Sequence, residues 1–212
     1  MNTDRSQMGL RARKKLARHE SILEAARQVI GDIGYENAKL EQIAEVADVG
    51  VATVYNYFGK KHILLFNLAL YSIDRMEPQL DAWSPKPEST LEEALVEWIV
   101  EMGTHTFNAL DHSIWGVVIS EEYKAGVDKK DYIEIKQRFI ELNLKFWRRL
   151  IASGYATNEV EGRDVAELLD SIASEVFRQA HQKKTVNRNT YRRIARRLVT
   201  LIVRGLAANQ KE

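Results

Sequence analysis

Apolar residues recur at helical spacing along most of the chain, and no segment shows the two-residue alternation of a strand. In residues 16–31, for example, Ile22, Leu23, Ala26 and Ile30 fall on one face of a helix. Similar patterns continue towards the C-terminus, separated by short breaks that contain Gly, Pro or Asp. The spacing predicts an all-α protein of about nine helices, with a small N-terminal domain and a larger C-terminal helical bundle.

The breaks set the predicted limits of the later helices. The fourth helix runs from Lys61 to about Leu80 and ends near Pro78. Ser89 and Glu92 have the spacing of a capping box, which predicts the start of the fifth helix. Four more helices are predicted at residues 114–123, 133–153, 161–181 and 189–208.

Residues 37–61, NAKLEQIAEVADVGVATVYNYFGKK, contain two short helical patterns separated by a tight break at residues 48–50. Ala44 has the small side chain that a close crossing of two helices requires. Asp48 falls where the chain leaves the first helix, often in a left-handed conformation, which Asp tolerates better than most residues. This is the outline of a helix-turn-helix, whose second helix can enter the major groove of DNA. Any helical hairpin with an Ala at its crossing would give a similar pattern.

The wider segment resembles the DNA-binding domain of the tetracycline-repressor (TetR) family of bacterial transcriptional regulators. The resemblance is carried by residues 19–65 and is strongest over residues 43–61. There, the run Thr53-Val54-Tyr55-Asn56-Tyr57-Phe58 and, after it, Lys61 follow the family pattern. The resemblance implies an all-α regulator that binds DNA as a dimer.

Two residues depart from the family pattern. Asp48 replaces the Gly that usually stands in the turn. Lys39 stands where a Thr or Ser commonly caps the second helix, and we expect Asn37 to substitute for that cap.

The resemblance, together with helical geometry, implies which residues contact DNA. Thr53 offers a hydroxyl and a methyl group to base edges. Tyr55 and Tyr57 match positions that contact phosphates or base edges, although a place in the core is the alternative for Tyr55. Lys61 matches a phosphate-contacting Lys at the start of the fourth helix. Because the second helix of the motif has no Arg or Gln, we expect specificity to rest partly on DNA shape and water. The expected DNA contacts are Lys39, Gly50, Val51, Ala52, Thr53, Tyr55, Asn56, Tyr57 and Lys61.

The charge of the chain is unevenly distributed, although the net charge is only +1. Within the first 18 residues, Asp4 is the one acid among several cations. These cations are Arg5, Arg11, Arg13, Lys14, Lys15 and Arg18. Two interpretations are open: a basic arm that neutralises DNA phosphates, and a disordered tail that keeps the protein soluble.

Composition narrows the class of protein. The 212 residues are 45% hydrophobic and 29% charged, which is ordinary for a globular protein. The absence of Cys excludes disulfides, thiolate metal sites and cysteine nucleophiles. No apolar run approaches the ~18 residues of a transmembrane helix, and the N-terminus lacks the apolar core of a signal peptide. We therefore expect a cytoplasmic protein that does not associate with membranes.

The last two predicted helices carry apolar stripes and opposite charges. Asp164 and Glu167 belong to an acidic set on the first, whereas Arg193 and Arg196 belong to a basic set on the second. One interpretation is a four-helix homodimer interface built from two copies of this pair, with complementary charges fixing its register. The alternative is an intramolecular hairpin whose charges are solvated. The residues expected at the interface are Leu168, Leu169, Ile172, Val176, Ile194, Leu198, Leu201 and Ile202.

Aromatic and Met residues are frequent between residues 98 and 177. If the family resemblance extends this far, it implies a pocket for a small-molecule effector, and these side chains suggest an apolar or planar ligand. His105 and His112 can orient a polar group of such a ligand. The alternative is that most of these residues are ordinary core. The candidate ligand-binding residues are Trp98, Met102, His105, Phe107, Trp115, Phe139, Phe146, Trp147 and Phe177.

Catalytic motifs are missing from the sequence. Glu97, Glu101 and His105 lie four residues apart on one helical face, which resembles half of a metal site. A di-metal helical bundle needs Glu-x-x-His on two helices, and no His here has a Glu three residues before it. We therefore expect no metal, no cofactor and no enzymatic activity.

Together these patterns predict a dimeric repressor that binds a pseudo-palindromic DNA operator and is released by a small ligand. The resemblance implies that the ligand shifts the fourth helix and respaces the two recognition helices. An architectural or partner-binding DNA-binding protein of the same fold, without an effector, is the alternative, and a helical-bundle metal enzyme is a remote one. We assign residues 1–62 to the basic arm and DNA-binding domain, and residues 63–212 to effector binding and dimerisation.

Overall fold

The computed structural model describes residues 9–110, 112–122, 130–182 and 187–204. Within these ranges the regular secondary structure is helical throughout, which confirms the all-α prediction and the expected number of helices. No helix among the described residues combines the length and apolarity needed to cross a membrane. The helices are α1 (Leu10–Ile33), α2 (Leu40–Val46), α3 (Val51–Phe58), α4 (Lys61–Ala82), α5 (Leu91–Ala109), α6 (His112–Glu122), α7 (Lys130–Ala152), α8 (Gly162–His181) and α9 (Arg188–Val203).

The chain divides into two compact units. The first takes in Met1–Ser72 and Leu110–Ile133, and the second takes in Ile73–Ala109 and Glu134–Glu212. These units are defined by packing, whereas the division at residue 62 that we infer from the sequence is a functional one. That functional division stays a prediction.

The first unit is built on the apolar face of α1. Ile22, Leu23, Ala26 and Ile30 are buried, as their spacing predicts, and α2 packs against this helix. The helix ends where Gly34 takes a positive φ of 80° and donates its N–H to the carbonyl of Ile30. Its start differs from the prediction, because α1 begins six residues earlier than residue 16, at Leu10.

The turn between α2 and α3 forms as the sequence predicts. Asp48 has a φ of 52°, and the other non-glycine residues described by the structure avoid positive φ. This conformation lets the N–H of Val49 reach back to the carbonyl of Ala44 at 3.0 Å, which ends α2. Ala44 itself is buried at the crossing of the two helices. The turn therefore sets the angle at which α3 leaves α2.

Helix α4 begins at Lys61 as predicted and ends at Ala82, two residues beyond the predicted Leu80, so Pro78 lies inside the helix and does not end it. Proline removes one backbone hydrogen bond from a helix interior, and tertiary contacts compensate here. Leu80 is fully buried, and its carbonyl accepts a hydrogen bond from the guanidinium of Arg149 at 3.1 Å. Lys145 also pairs with Asp81 in the last turn, at 3.3 Å.

The capping box of α5 lies one residue later than predicted. The N–H of Thr90 donates to the Glu93 carboxylate at 2.8 Å, and the N–H of Glu93 donates to the Thr90 hydroxyl at 3.2 Å. The predicted partner Glu92 instead accepts the hydroxyl of Thr200 at 2.6 Å. Glu92 therefore joins α5 to α9 and takes no part in the cap.

Helix α9 packs against both α5 and α8 in the second unit. Ion pairs reinforce its contact with α5: Arg192 lies 2.5 Å from Glu97, and Arg188 pairs with both Glu97 and Glu101. The side chain of Asn187 caps the start of α9 by accepting the N–H of Thr190 at 3.0 Å.

Candidate functional site

Helix α3 is anchored on one side and exposed on the other. Val54 and Phe58 are buried, whereas Ala52, Tyr55 and Asn56 are exposed on the opposite face. The ring of Tyr55 is 47% exposed, which argues against the core position considered for it. The spacing of these three residues places them along one line of the helix, so a single groove can contact all of them.

The first turn of α3 borders that exposed face. Gly50 precedes the helix in an extended conformation, and its carbonyl accepts the N–H of Thr53 at 2.8 Å. The side chains of Val51 and Thr53 are half-buried. The backbone N–H groups of this turn point out of the helix start, where they favour an anion.

Tyr57 holds α3 against α1. Its hydroxyl donates to the backbone carbonyl of Lys15 at 3.1 Å, and its ring lies 5.9 Å from the imidazole of His19. His19 also lies 5.1 Å from the ring of Phe58. A role for Tyr57 in DNA contact stays a prediction, but its hydroxyl has a structural partner that the sequence pattern did not indicate.

Lys61 is fixed at the start of α4. Its ammonium donates to the carbonyl of Glu36 at 3.2 Å and lies 4.3 Å from the centre of the Tyr35 ring. Burial lowers the pKa of this ammonium. One of its three N–H donors is used by Glu36, so the remaining two can serve a phosphate.

Lys39 stands before α2 with an exposed side chain. Its backbone N–H donates to the side chain of Gln42 at 2.9 Å, so Gln42 supplies one half of a capping box. The expectation that Asn37 caps α2 is wrong, because its amide donates backwards to the carbonyl of Ile33 at 2.9 Å. A Gln three residues after the N-cap is one half of a capping-box pattern, so Gln42 could have predicted this cap from the sequence.

In the second unit, Trp98 and Phe146 lie in one buried cluster. Their rings stack with centroids 4.4 Å apart and planes 7° apart. The indole N–H of Trp98 donates to the side-chain oxygen of Asn143 at 2.8 Å. Trp83 approaches both rings, at 5.8 and 5.7 Å. The sequence pattern did not single out Asn143 or Trp83, because one is a lone polar residue within a helix and the other lies beside the prolines of a connection.

Phe107 and Phe177 form a second aromatic group around His181. The ring centroids of Phe177 and His181 are 3.9 Å apart, and those of Phe107 and His181 are 6.1 Å apart. Tyr191 completes the group from α9, and burial raises the pKa of its phenol. A Cβ atom at Gly103 would lie 2.7 Å from the Tyr191 ring, so only Gly admits this ring against α5.

The other candidate ligand residues are dispersed. Met102 is buried, Phe139 is half-buried, and His105 lies 3.8 Å from the carboxylate of Glu101. Trp147 is buried against the start of α8. Trp115 belongs to the first unit, whereas the other members of the set belong to the second. The side chain of His112 lies outside the described residues.

The half metal site considered for α5 is occupied by arginines. Glu97 and Glu101 face Arg188 and Arg192 of α9. Hydrogen bonding to Arg192 lowers the pKa of Glu97. These carboxylates therefore hold α9 in place.

The predicted dimer residues differ in their exposure within one chain. Leu168, Leu201 and Ile202 are 44%, 50% and 45% exposed. Leu198 is half-buried. The remaining members are buried in the chain's own core, as the hairpin interpretation expects: Leu169, Ile172, Val176 and Ile194.

Comparison with known proteins agrees with this architecture. Residues 22–68 match the family model of bacterial regulatory proteins of the tetR family. The fatty acid metabolism regulator protein of Bacillus subtilis (strain 168) is 26% identical over 162 residues, which are 74% of this chain and 76% of that protein. The HTH-type transcriptional repressor KstR of Mycolicibacterium smegmatis (strain ATCC 700084 / mc(2)155) is 33% identical over 76 residues, 36% of each chain.

Solved structures share this fold over most of the chain. The transcriptional regulator FadR from Bacillus subtilis, in complex with stearoyl-CoA, matches with a TM-score of 0.60 and 21% identity, covering 89% of this chain and 100% of its own. A TetR-family regulator from Pectobacterium atrosepticum matches with a TM-score of 0.68 and 19% identity, covering 96% and 100%. Residues 22–68 are therefore a helix-turn-helix of the type found in bacterial regulatory proteins of the tetR family, and the chain has the fold of TetR-family transcriptional regulators.

Proposed function

We propose that the protein is a repressor that binds a pseudo-palindromic operator as a homodimer and leaves it when a small, largely apolar ligand binds. The observation that carries this proposal is the exposed face of α3, with Ala52, Tyr55 and Asn56 aligned and with Val54 and Phe58 anchoring the helix from behind. A helix presented in this way by a helix-turn-helix fits the major groove of DNA.

The chemistry of this face favours A·T-containing sites. The side-chain amide of Asn56 can pair with the two hydrogen-bonding atoms of an adenine edge, and the methyl group of Ala52 can touch a thymine methyl. The Tyr55 hydroxyl can reach a base edge or a phosphate. With one bidentate reader in the helix, part of the specificity comes from DNA shape.

Exposed apolar residues support the homodimer. Leu168 on α8, with Leu201 and Ile202 on α9, places large aliphatic side chains in solvent when the chain is alone. A two-fold partner would cover them, since the same patch on both subunits is self-complementary. Two linked subunits would then set two α3 helices about 34–36 Å apart, which is one turn of DNA.

A long-chain acyl-CoA is the ligand class that we propose. FadR of Bacillus subtilis, which has the same fold, is described in complex with stearoyl-CoA, and a curated relative is named for fatty acid metabolism. The second unit offers apolar and aromatic side chains, among them Phe107 and Phe177, that suit an alkyl chain.

A binding-site selection with purified protein and random duplex DNA tests the first part of this proposal. We expect a consensus with two-fold symmetry and half-sites one helical turn apart. Recovery of random sequences would contradict sequence-specific binding. Addition of stearoyl-CoA to the complex should then release the DNA, with coenzyme A alone as the control.

A second candidate is an architectural DNA-binding protein that ignores small ligands. The observation that favours it is the Trp98–Phe146 stack, which is buried by neighbouring side chains and presents no free ring face to a ligand. Under this alternative, stearoyl-CoA would leave both the DNA affinity and the thermal stability of the protein unchanged.

A further inference from the structure

The first turns of α1 carry a regular array of cations. The buried face of the helix begins at Ile22, whereas the side chains between Leu10 and Arg18 are exposed, apart from the half-buried Leu16. Four cations in this exposed part follow the spacing i, i+3, i+4, i+7, which places them on one face of a helix. We name this set the basic stripe: Arg11, Lys14, Lys15 and Arg18.

The stripe lies on the same side of α1 as part of its buried face. Ile22 and Val29 continue the spacing of Arg11, Lys15 and Arg18 along the helix. The side of α1 that packs into the first unit thus becomes basic where the helix leaves the core. Arg13 lies on the opposite side, two residues from Arg11 and therefore about 200° around the helix.

The stripe is fixed in register with α3. The hydroxyl of Tyr57 donates to the carbonyl of Lys15, which is itself a member of the stripe. One turn later on α1, His19 lies against the rings of Tyr57 and Phe58. The C-terminal end of α3 therefore touches α1 at Lys15 and His19, near the C-terminal end of the stripe.

No described acid neutralises the stripe. Its four cations form no ion pair with the residues that the structure describes, and the first acid along α1 is Glu20. Four like charges on one helical face repel each other, so a polyanion that binds them gains both its own attraction and relief of that repulsion.

We propose that the basic stripe binds the DNA phosphates that border the groove entered by α3. This inference rests on the proposed DNA-binding function. The major groove is about 12 Å wide and one helix with its side chains nearly fills it, so an element beside the end of that helix meets the sugar-phosphate backbone. Under this proposal the basic segment is already helical and oriented before it contacts DNA, and it is not the disordered solubilising tail considered above.

The test replaces all four stripe cations by Ala and measures the dissociation constant for DNA over a range of salt concentrations. Ala preserves helix propensity, and circular dichroism checks that the fold is retained. The logarithm of affinity falls with the logarithm of salt by about 0.9 for each phosphate neutralised, so removing four cations should lower that slope by about 3.6 for each bound chain. Arg13→Ala is the matched control, since it removes one nearby cation from the other face and should keep the wild-type slope.

Two DNA probes separate this inference from the proposed function. One is the duplex obtained by selection, and the other is a duplex of random sequence at low salt. If the selection yields no consensus, repression at an operator fails, yet the random duplex still tests the stripe. If the wild type binds DNA and the stripe variant keeps its salt slope on both probes, the stripe proposal is overturned.

Tyr57→Phe tests the fixed register. The variant keeps the aromatic contacts with His19 and loses the hydrogen bond to the carbonyl of Lys15. A preformed stripe predicts a slope lowered by about 1, because cations that lose their orientation neutralise fewer phosphates. Loss of a direct, uncharged contact between Tyr57 and DNA would weaken binding without changing the slope. An unchanged slope in this variant would overturn the fixed register.

Discussion

The indole N–H of Trp98 and the side-chain oxygen of Asn143 form a hydrogen bond of 2.8 Å that joins α5 to α7 inside the core of the second unit. Both side chains are fully buried, so water cannot replace either partner. The amide nitrogen of Asn143 has no hydrogen-bond partner among the described residues. Asn143 is therefore retained at a cost, and Trp98 is the group that it serves.

Asn143→Ala should lower the free energy of unfolding by about 2–4 kcal/mol, because it leaves a buried indole donor without a partner and opens a cavity. Chemical denaturation followed by tryptophan fluorescence measures this change. The exposed Asn158 provides the control, and Asn158→Ala should stay within about 0.5 kcal/mol of the wild type. Equal effects of the two substitutions would contradict the importance of the Trp98 hydrogen bond.

Substitutions of Asp48 should rank by how well each residue accepts a positive φ. Asp48→Gly should raise the free energy of unfolding by about 0.5–1 kcal/mol, since the φ of 52° strains a side-chain-bearing residue but not Gly. Asp48→Ala should lower it by a similar amount, because Ala adopts a positive φ less readily than Asp does. Urea unfolding of the three proteins gives the order, and a more stable Ala variant would refute the explanation.

Asp170 should make the protein less stable as the pH rises. Burial raises the pKa of its carboxyl group to about 6 from 3.8, with Lys136 opposing the shift and Glu167 adding to it. The folded state therefore holds this proton more tightly than the unfolded state, so its contribution to stability falls between about pH 4 and pH 6 and stays low above that.

Asp170→Asn should consequently be the more stable protein at pH 8, by about 3 kcal/mol at most, and should lose that advantage at pH 4. The quantity to measure is the difference in unfolding free energy between variant and wild type across this range. Asp164→Asn on the exposed side of the same helix controls for the loss of one negative charge. A difference that does not vary with pH would be evidence against the raised pKa.

His19, in the first unit, should make the protein less stable as the pH falls, which is the opposite of the effect expected for Asp170. Burial lowers the pKa of its imidazole below 6.5, partly offset by a side-chain hydrogen bond with Asn67. The unfolded state then binds the proton more readily, so stability is fully present above pH 6.5 and falls as the pH drops below it. His19→Gln should flatten this part of the stability curve, measured by denaturation between pH 5 and pH 8; an unchanged curve would exclude His19 as its origin.

Leu201→Glu should convert the proposed dimer to monomers. A carboxylate at this position would be desolvated if a second subunit covered it, and its mirror image would lie nearby across the two-fold axis. Sedimentation velocity distinguishes the two states. Ile133→Glu, at another exposed aliphatic residue, should leave the dimer intact, and a monomeric wild type would refute the homodimer itself.

Helical spacing allowed the first unit to be predicted well. The inward positions of α1 and the left-handed Asp48 follow from local rules that operate within a few residues. The start of α1 could not be predicted in this way, because the Arg and Lys residues between Leu10 and Arg18 favour a helix without producing an apolar pattern. The spacing of apolar residues cannot distinguish a basic helix from a basic tail, because neither contains an apolar stripe.

Tertiary contacts decided the features that the sequence left ambiguous. Ser89 and Thr90 are each followed by Glu three residues later, and the cap fell to Thr90 because Glu92 is drawn to Thr200 on α9. On α8 the neighbours Leu168 and Leu169 differ only in which of them faces the core. Periodicity marks both as apolar, and only packing separates a buried side chain from one left for a partner.

Because Gly103 lies against the ring of Tyr191, adding a single methyl group at position 103 would have effects far from that position. A side chain at position 103 would collide with the ring at 2.7 Å and push α9 away from α5. Because α9 also bears the exposed Leu201 and Ile202, such a shift would be transmitted to the surface where a second subunit is proposed to bind. Position 103 is therefore a place where a mutation outside the proposed interface would alter the quaternary structure.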